Sequence, residues 1–161
     1  MPAPKTRKKK DDSPQAQLDG FLNKYTPEIA ALARACLAKL RARLPGATQI
    51  VYDNYNALAI GFGPSEKASR AILSIALYPK WVSLFFLQAA TKLPDPHKLL
   101  NGSGNVVRHI VIHAAADIDQ PAIQQLIAEA LKRAIEPLDP AAAGRLVIRS
   151  VSAKQRPRRP K

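Results

Sequence analysis

The chain has 161 residues, of which 47% are apolar, and this length suits one domain with a buried core. Its only cysteine, Cys36, excludes an intrachain disulfide, and no apolar run approaches the roughly 18 residues that indicate a membrane-spanning helix. No apolar segment follows the basic N-terminus, so we expect no secretory signal, no membrane association and a cytoplasmic location.

The net charge of +13 is concentrated at the two ends of the chain. Residues 1–13 carry five basic and two acidic side chains, and residues 145–161 carry seven basic side chains and no acid. The segment between them, 14–144, is nearly balanced. Any attraction to nucleic acid is therefore expected to begin with the tails.

The first third of the chain carries helical signals. Residues 1–14 are rich in Pro, Lys and Asp without periodicity, and we expect this N-terminal tail to be disordered. A short helix is predicted over residues 15–25. A longer helix begins at Thr26, where a capping hydroxyl precedes a proline and an acid, and it ends near Gly46. Its apolar stripe comprises Ile29, Leu32, Ala33, Cys36, Leu37, Leu40 and Leu44.

After this helix the apolar residues follow the alternating or continuous patterns of strands. The predicted strands are 58–62, 71–78, 81–87 and 106–113, with a long loop over 93–105. Pro79 lies between the second and third of these, where its fixed backbone angle favours a tight turn. These two strands are therefore predicted to form a hairpin.

The last third predicts one more helix and an edge strand. Asp117 or Asp119 is expected to cap a helix that ends before Pro137. Residues 146–151 predict a weak edge strand. Residues 152–161 are basic and rich in proline, and we expect them to form a disordered tail.

Together these elements predict a single α+β domain over residues 15–151. The strands are grouped between helices rather than alternating with them, which indicates a mostly antiparallel sheet of five or six strands. Two or three helices are expected to pack on one face of this sheet, because an amphipathic helix is marginal without a partner surface.

Four motifs stand out in the centre of the chain: Tyr-Asp-Asn-Tyr-Asn at 52–56, Ala-Leu-Tyr-Pro-Lys-Trp at 76–81, Leu-Pro-Asp-Pro at 93–96, and Leu-Leu-Asn-Gly-Ser-Gly at 99–104 leading into Val-Arg-His-Ile at 107–110. Over about residues 20–136 they resemble one branch of the YdhG-like bacterial family, a domain of unknown function. The resemblance implies a compact α+β domain with a curved antiparallel sheet. Many relatives have Tyr-Gly-Met-Pro where this chain has Tyr52 to Tyr55, so we expect the specificity of this branch to lie there.

One member of that family is described as a frataxin-like iron chaperone, so iron handling is an alternative function. Iron held in a frataxin-like manner favours oxygen ligands, which acidic side chains supply. The chain has no acidic run beyond Asp11 and Asp12. His109 and His113 are four residues apart on a predicted strand, about 13 Å, which is too far to share one metal. We therefore predict no metal site and no cofactor.

The sequence contains no motif that names a reaction. It lacks a Gly-x-Ser-x-Gly elbow, a Walker loop, a His-Glu-x-x-His helix and a Cys-x-x-Cys pair. Residues 102–105 could offer backbone N–H groups to an anion, although a plain turn is the simpler interpretation. Cys36 lies on an apolar stripe and is interpreted as a core thiol. We predict no catalytic residue, and an enzyme with an unfamiliar site stays open as a third reading.

The stretch 52–56 concentrates five hydrogen-bonding side chains, which are costly to bury and unnecessary on a plain surface. An arginine between apolar strand residues usually pairs with a carboxylate, so we expect an Asp53–Arg108 pair. This pair would either fix the strand register or line a pocket walled by Tyr78 or Trp81. The candidate ligand-binding residues are Tyr52, Asp53, Asn54, Tyr55, Asn56, Tyr78, Trp81 and Arg108.

The basic tails are candidate contacts for nucleic acid, through Lys8, Lys9, Lys10, Arg156, Arg158 and Arg159. The chain has no recognised base-reading module, and its few aromatic residues lie in apolar contexts, which argues against a stacking platform. We predict a non-enzymatic binding domain for a small polar or anionic ligand or a protein partner, with weak, non-specific attraction of nucleic acid to the tails.

Overall fold

The structure, a computed structural model, describes residues 12–161. The helices are α1 (Pro14–Leu22), α2 (Pro27–Arg43) and α3 (Pro121–Lys132), and the strands are β1 (Thr48–Asp53), β2 (Leu58–Gly63), β3 (Leu73–Leu77), β4 (Val82–Phe86), β5 (Arg108–Ile112) and β6 (Leu146–Val151). Short 3₁₀ helices cover Ala68–Arg70, Ala90–Lys92 and Ala115–Asp119. No helix among the described residues has the length and hydropathy needed to cross a bilayer.

The six strands form one mixed sheet in the order β5-β4-β3-β2-β1-β6. Neighbouring strands are antiparallel except β1 and β6, which run parallel. The parallel pairing contains a bulge, because Val51 pairs with Ile148 whereas Tyr52 pairs with Ser150. The predicted α+β class and the mostly antiparallel sheet are confirmed, and the parallel edge pair is an addition.

All three helices pack on one face of the sheet. Successive side chains of a strand point to opposite faces of the sheet, and those on the same face line up across neighbouring strands. On one face such a row consists of Val51, Ile60, Ile75, Leu84 and Ile110. This row belongs to the same apolar core as Leu18 of α1, Leu37 of α2 and Leu126 of α3. The row from the opposite face is Tyr52, Ala59, Ala76, Ser83 and Val111, and it lies outside that core. The predicted packing of helices on a single face is therefore confirmed.

The helix starts agree only in part with their predicted caps. The Thr26 hydroxyl accepts a hydrogen bond from the Ile29 N–H at 3.3 Å, as the sequence predicts for α2. The predicted aspartate cap of the last helix is wrong, because α3 begins after Gln120 without a side-chain cap. Asp117 instead accepts from the backbone N–H groups of His113 and Ala114, at the end of β5.

The topology brings three segments to one end of the sheet, which we call the hairpin end. The β1–β2 turn, 54–57, and the β3–β4 turn, 78–81, lie at the same end because consecutive antiparallel strands reverse direction. Strand β6 runs parallel to β1 and therefore also ends there. Residues 152–161, which we call the C-terminal strap, begin at this end and continue across the β1–β2 turn.

Candidate ligand-binding site

The hairpin end is held together by one buried carboxylate, Asp53, which has 0% of its surface exposed. Arg158 Nη2 donates to Asp53 Oδ1 at 2.9 Å, and Lys24 Nζ donates to Asp53 Oδ2 at 2.9 Å. The two cations come from opposite ends of the chain, since Lys24 follows α1 and Arg158 lies in the strap. We call these three residues the Asp53 anchor.

Arg158 is 6% exposed, which is unusual for an arginine and requires partners for its charge. Besides Asp53, its guanidinium donates to the carbonyl oxygens of Asn54 and Tyr55. Its Cζ lies 5.7 Å from the centre of the Tyr25 ring, within reach of a cation–π contact. Its Nε is buried without a hydrogen-bond partner among the described residues. Arg158 thus attaches the strap to the hairpin end of the domain.

Backbone contacts extend this attachment along the strap. Ser152 donates its N–H to the Asp53 carbonyl at 2.8 Å, and Arg156 donates its N–H to the Tyr55 carbonyl at 2.8 Å. The Gln155 side chain donates to the Asp53 carbonyl at 3.1 Å and accepts from Lys24 Nζ at 3.2 Å. The structure places residues 152–161, which the sequence predicts to be a disordered tail, against the domain, where hydrogen bonds and a buried ion pair offset the entropy lost in ordering the strap.

Beneath Arg158, the buried Tyr25 hydroxyl completes the strand ladder. It accepts from the Leu58 N–H at 3.1 Å and donates to the Leu77 carbonyl at 3.0 Å, where β2 begins and β3 ends. Burial, partly opposed by the nearby charge of Arg158, raises the pKa of Tyr25 to about 12. The phenol therefore stays neutral at ordinary pH and supports the strand ends rather than titrating.

Beside the anchor lies an open cleft of about 720 Å³. Its lining consists of Asn56, Tyr78, Pro79, Lys80, Trp81, Arg156 and Pro157, and we call it the aromatic cleft. The rings of Tyr78 and Trp81 stack with centroids 4.6 Å apart and planes inclined by 16°. Trp81 is nevertheless 43% exposed, so a large part of its indole faces solvent. Partial burial raises the pKa of Tyr78 above its ordinary value.

The cleft is basic as well as aromatic. Its lining includes Lys80 and Arg156, and none of the seven described residues that line it is acidic. The Arg156 guanidinium also lies over the Tyr55 ring, with Cζ 5.5 Å from its centre. Tyr55 is 48% exposed, so a further exposed ring contacts a cation of the cleft. The arrangement offers flat apolar surface and positive charge to the same ligand.

The candidate residues of the 52–56 stretch separate into two groups. Asp53 is the last residue of β1, and Asn54, Tyr55 and Asn56 lie in the turn that follows rather than on a strand. Asn56 lines the cleft and Tyr55 stands beside it. Tyr52 lies on the sheet face without helices, in register with Ala59. Of these candidates, only Asn56 therefore shares the lining with Tyr78 and Trp81, and Tyr55 contacts the cleft residue Arg156.

The expected Asp53–Arg108 pair is wrong. Arg108 begins β5, and the sheet order places three strands between it and Asp53 on β1, a separation of about 19 Å at the usual strand spacing. Arg108 Nε donates to the Gly104 carbonyl at 2.8 Å instead. The carboxylate takes its arginine from the strap, which the sequence does not indicate because 105 residues separate the two.

The candidate nucleic-acid contacts also differ among themselves. Lys8, Lys9 and Lys10 lie outside the described residues. Arg156 is exposed and lines the aromatic cleft, and its contact with nucleic acid stays a prediction. Arg158 is wrong as a contact, because its charge is buried against Asp53. Arg159 is exposed and donates to the Asn23 and Lys24 carbonyl oxygens beside the anchor.

Sequence reasoning missed Lys24, Tyr25, Lys80, Gln155 and Pro157, which belong to the anchor or the cleft. Lys80 carried a usable signal, since it lies between Pro79 and Trp81 in a tight turn and must project near both. The other four residues carried no usable signal in the sequence. Lys24 and Tyr25 follow a short helix, and the strap reads as a solvated basic tail.

The metal-ligating residue types do not gather elsewhere in the described part of the chain. No group of three His, Cys, Asp or Glu side chains lies within reach of a common ion in residues 12–161. His109 contacts the Phe85 ring, with centroids 5.1 Å apart. Cys36 is buried in the core, and this burial raises the pKa of its thiol to about 11.

Comparison with known proteins gives no match to a family model, to a curated protein or to a solved structure. The resemblance to the YdhG-like family therefore stays a prediction, and so does iron handling. The site is interpreted from its geometry and its charges.

Proposed function

We propose that this protein is a binding domain for an anionic ligand that carries a flat apolar group, and that the aromatic cleft is its binding site. The observation that carries this proposal is the stacked Tyr78–Trp81 pair, which lines one cleft together with two cations, Lys80 and Arg156. An exposed tryptophan of this kind is not needed for the core, which lies on the other face of the sheet.

The aromatic rings and the cations of the cleft suit two different parts of one ligand, a flat apolar group and an anionic group. Indole and phenol rings favour flat partners that stack on them, and the contact adds to the burial of apolar area. Lysine and arginine attract an anionic group, and arginine can also hold a carboxylate or phosphate with two parallel hydrogen bonds. Since the described residues of the lining include no acid, a cationic ligand would meet repulsion without compensation.

The Asp53 anchor supports the cleft without lining it. The strap contributes Arg156 and Pro157 to the cleft, and the next residue is the buried Arg158. Fixing Arg158 against Asp53 therefore fixes the backbone that carries Arg156. A pre-positioned cation loses less conformational entropy on binding than one on a free tail.

The lining supplies stacking surface and charge rather than a nucleophile beside a general base. This favours binding over catalysis for the cleft. The alternative, a frataxin-like iron-handling protein, stays a prediction, and metal analysis of the purified protein tests it directly. Stoichiometric iron in protein purified without added metal would contradict the present proposal.

The proposal is tested by calorimetric titration with naphthalene-1-sulfonate, which is flat and anionic. Cyclohexanesulfonate, which is anionic but not flat, and 1-naphthalenemethanol, which is flat but neutral, serve as matched ligands. We expect both to bind about fivefold to tenfold more weakly, because each lacks one contact worth on the order of 1 kcal/mol. Equal affinity for all three ligands, or heat from none, would overturn the proposal.

Variants of the protein complete this test. Trp81→Leu keeps apolar bulk but removes the flat ring, and Lys80→Ala removes one charge. Each should weaken naphthalene-1-sulfonate by about fivefold to tenfold. Lys92→Ala is the matched control, since Lys92 is an exposed lysine beyond the opposite end of β4, and it should leave the affinity unchanged.

A further inference from the structure

We infer that the ligand of the aromatic cleft is single-stranded nucleic acid, bound by base stacking and by phosphate contacts at the hairpin end. This inference rests on the proposed function and narrows its ligand class. The sequence argued against a stacking platform because aromatic residues are few. The structure changes this argument, because it brings two exposed rings and a guanidinium to one surface.

The rings are placed for more than one base. Trp81 lines the same cleft as Arg156, and Tyr55 lies under the Arg156 guanidinium. Both rings are more than two-fifths exposed. Successive bases of an unpaired strand can stack on such rings in a sequence-tolerant way, because every base has a flat face. The cleft of about 720 Å³ has room for a larger group than one ring.

The surrounding charge suits a chain of phosphates rather than a single anion. Four segments meet at this end, 23–25, 53–57, 78–81 and 152–161, and they contain seven Lys or Arg against one acid, Asp53. That acid is buried and already paired, so it does not repel a ligand. A net +6 over four short segments is nearly half of the charge of the whole chain. A strand with one charge per nucleotide is complementary to such a surface.

An acidic peptide fits this surface less well. A peptide that binds by strand addition draws on backbone groups that pair with the backbone of the partner. Here the Tyr78 N–H already donates to the Trp81 carbonyl at 2.9 Å, and the Arg156 N–H donates to the Tyr55 carbonyl at 2.8 Å. The groups left for a ligand are rings and cations, which are the groups that bases and phosphates use. A duplex hides the faces of its bases and would use the cations alone.

The test uses the fluorescence of Trp81, which is the only tryptophan of the chain. Full-length protein is titrated with an oligothymidylate of about ten nucleotides, within the range that single-strand sites cover. We expect quenching of Trp81 with saturable binding. The same length of duplex DNA, and poly-L-glutamate at equal charge, should bind at least about tenfold more weakly and should quench little.

Variants separate stacking from charge. Trp81→Leu should weaken oligothymidylate binding by about tenfold when it is followed by fluorescence anisotropy of a labelled strand, whereas Trp81→Phe should retain most of the affinity. For about four phosphate contacts the slope of log K against log salt should be about −3, and Lys80→Ala should reduce its magnitude by about 0.7. Lys92→Ala should change neither the affinity nor the slope.

Three results would overturn the inference. Poly-L-glutamate binding as tightly as oligothymidylate would assign the surface to acidic protein segments. Equal affinity for duplex and single strand would show that the surface binds nucleic acid through charge alone. An unchanged affinity in Trp81→Leu would show that bases do not stack on Trp81. If naphthalene-1-sulfonate binds the cleft in these cases, the proposed function stands and only the ligand class fails. If naphthalene-1-sulfonate also fails to bind, both fail together.

Discussion

Arg156 and Arg158 are two residues apart in the strap, yet their environments are opposite. Arg158 is buried against Asp53 and anchors the strap, whereas Arg156 is exposed, lies over Tyr55 and lines the aromatic cleft. Pro157 separates them and restricts the backbone between the two. A basic tail can therefore provide a structural ion pair and a ligand contact in three consecutive residues, and charge in the sequence does not distinguish them.

The two regions should respond differently to mutation. A change in the cleft should remove ligand binding and leave the free energy of unfolding nearly unaltered, because exposed side chains contribute little to it. A change in the anchor should lower the free energy of unfolding and also weaken binding, because the strap carries Arg156. This asymmetry is what the following predictions test.

The largest effect is expected for Arg158→Ala. Removal of one partner of a buried ion pair typically costs about 3–5 kcal/mol, and the remaining Lys24 contact places the cost near the lower figure. For a domain of this size that lowers Tm by about 6–12 °C, which thermal unfolding followed by circular dichroism measures. Arg159→Ala is the matched control, and its Tm should stay within about 2 °C. Equal shifts for the two variants would contradict a distinction between anchor and surface.

A smaller effect is expected for Tyr25→Phe. The variant keeps the ring but leaves the Leu58 N–H and the Leu77 carbonyl without their partner, at a cost of about 1–3 kcal/mol. The variant should also differ at high pH. The folded-state pKa of Tyr25 is raised from 10.0 to about 12, so its contribution is fully present below pH 10 and is lost as pH rises towards 12.

Urea unfolding of both proteins between neutral pH and pH 11 measures this difference. The gap in unfolding free energy between wild type and Tyr25→Phe should narrow as the pH rises. A gap that stays constant, or widens, would show that the phenol is not held neutral between the strand ends.

The smallest effect is expected for Asp119→Asn, which compares an exposed carboxylate outside the site with the buried carboxylate of Asp53. Like Asp53, Asp119 bonds two cations, Lys39 and Arg43, but it lies on the surface. These hydrogen bonds hold the pKa of Asp119 below its ordinary value. Its contribution is therefore present above pH 4 and is lost as the pH falls through the folded-state pKa.

The expected result is a small loss of Tm at pH 7 in Asp119→Asn, and a smaller difference from wild type at pH 3. Added salt should reduce the loss at pH 7, because exposed ion pairs are screened. A loss as large as that of Arg158→Ala would mean that the number of ionic partners, rather than burial, decides the stability.

The sequence predicted most of the fold because its signals are local. The Thr26 cap, the apolar stripe of α2 and the Pro79 turn each specify their element within a few residues. The site was harder, because its partners are distant in sequence. The Asp53–Arg158 pair spans 105 residues, and nothing local distinguishes Arg158 from Arg159. The sequence favours Arg108 as the partner of Asp53, because the neighbours of Arg108 are apolar, but the order of the strands in the sheet places the two residues far apart.

A chemical-shift map of the ¹⁵N-labelled protein with naphthalene-1-sulfonate locates the binding site directly. The largest shifts are expected on the Trp81 indole N–H and on the backbone N–H groups of Asn56, Lys80 and Arg156. The Gln15 and Gln124 N–H groups on the helical layer should not move. Shifts that are largest on α1 to α3, or spread evenly over the surface, would contradict a binding site at the hairpin end.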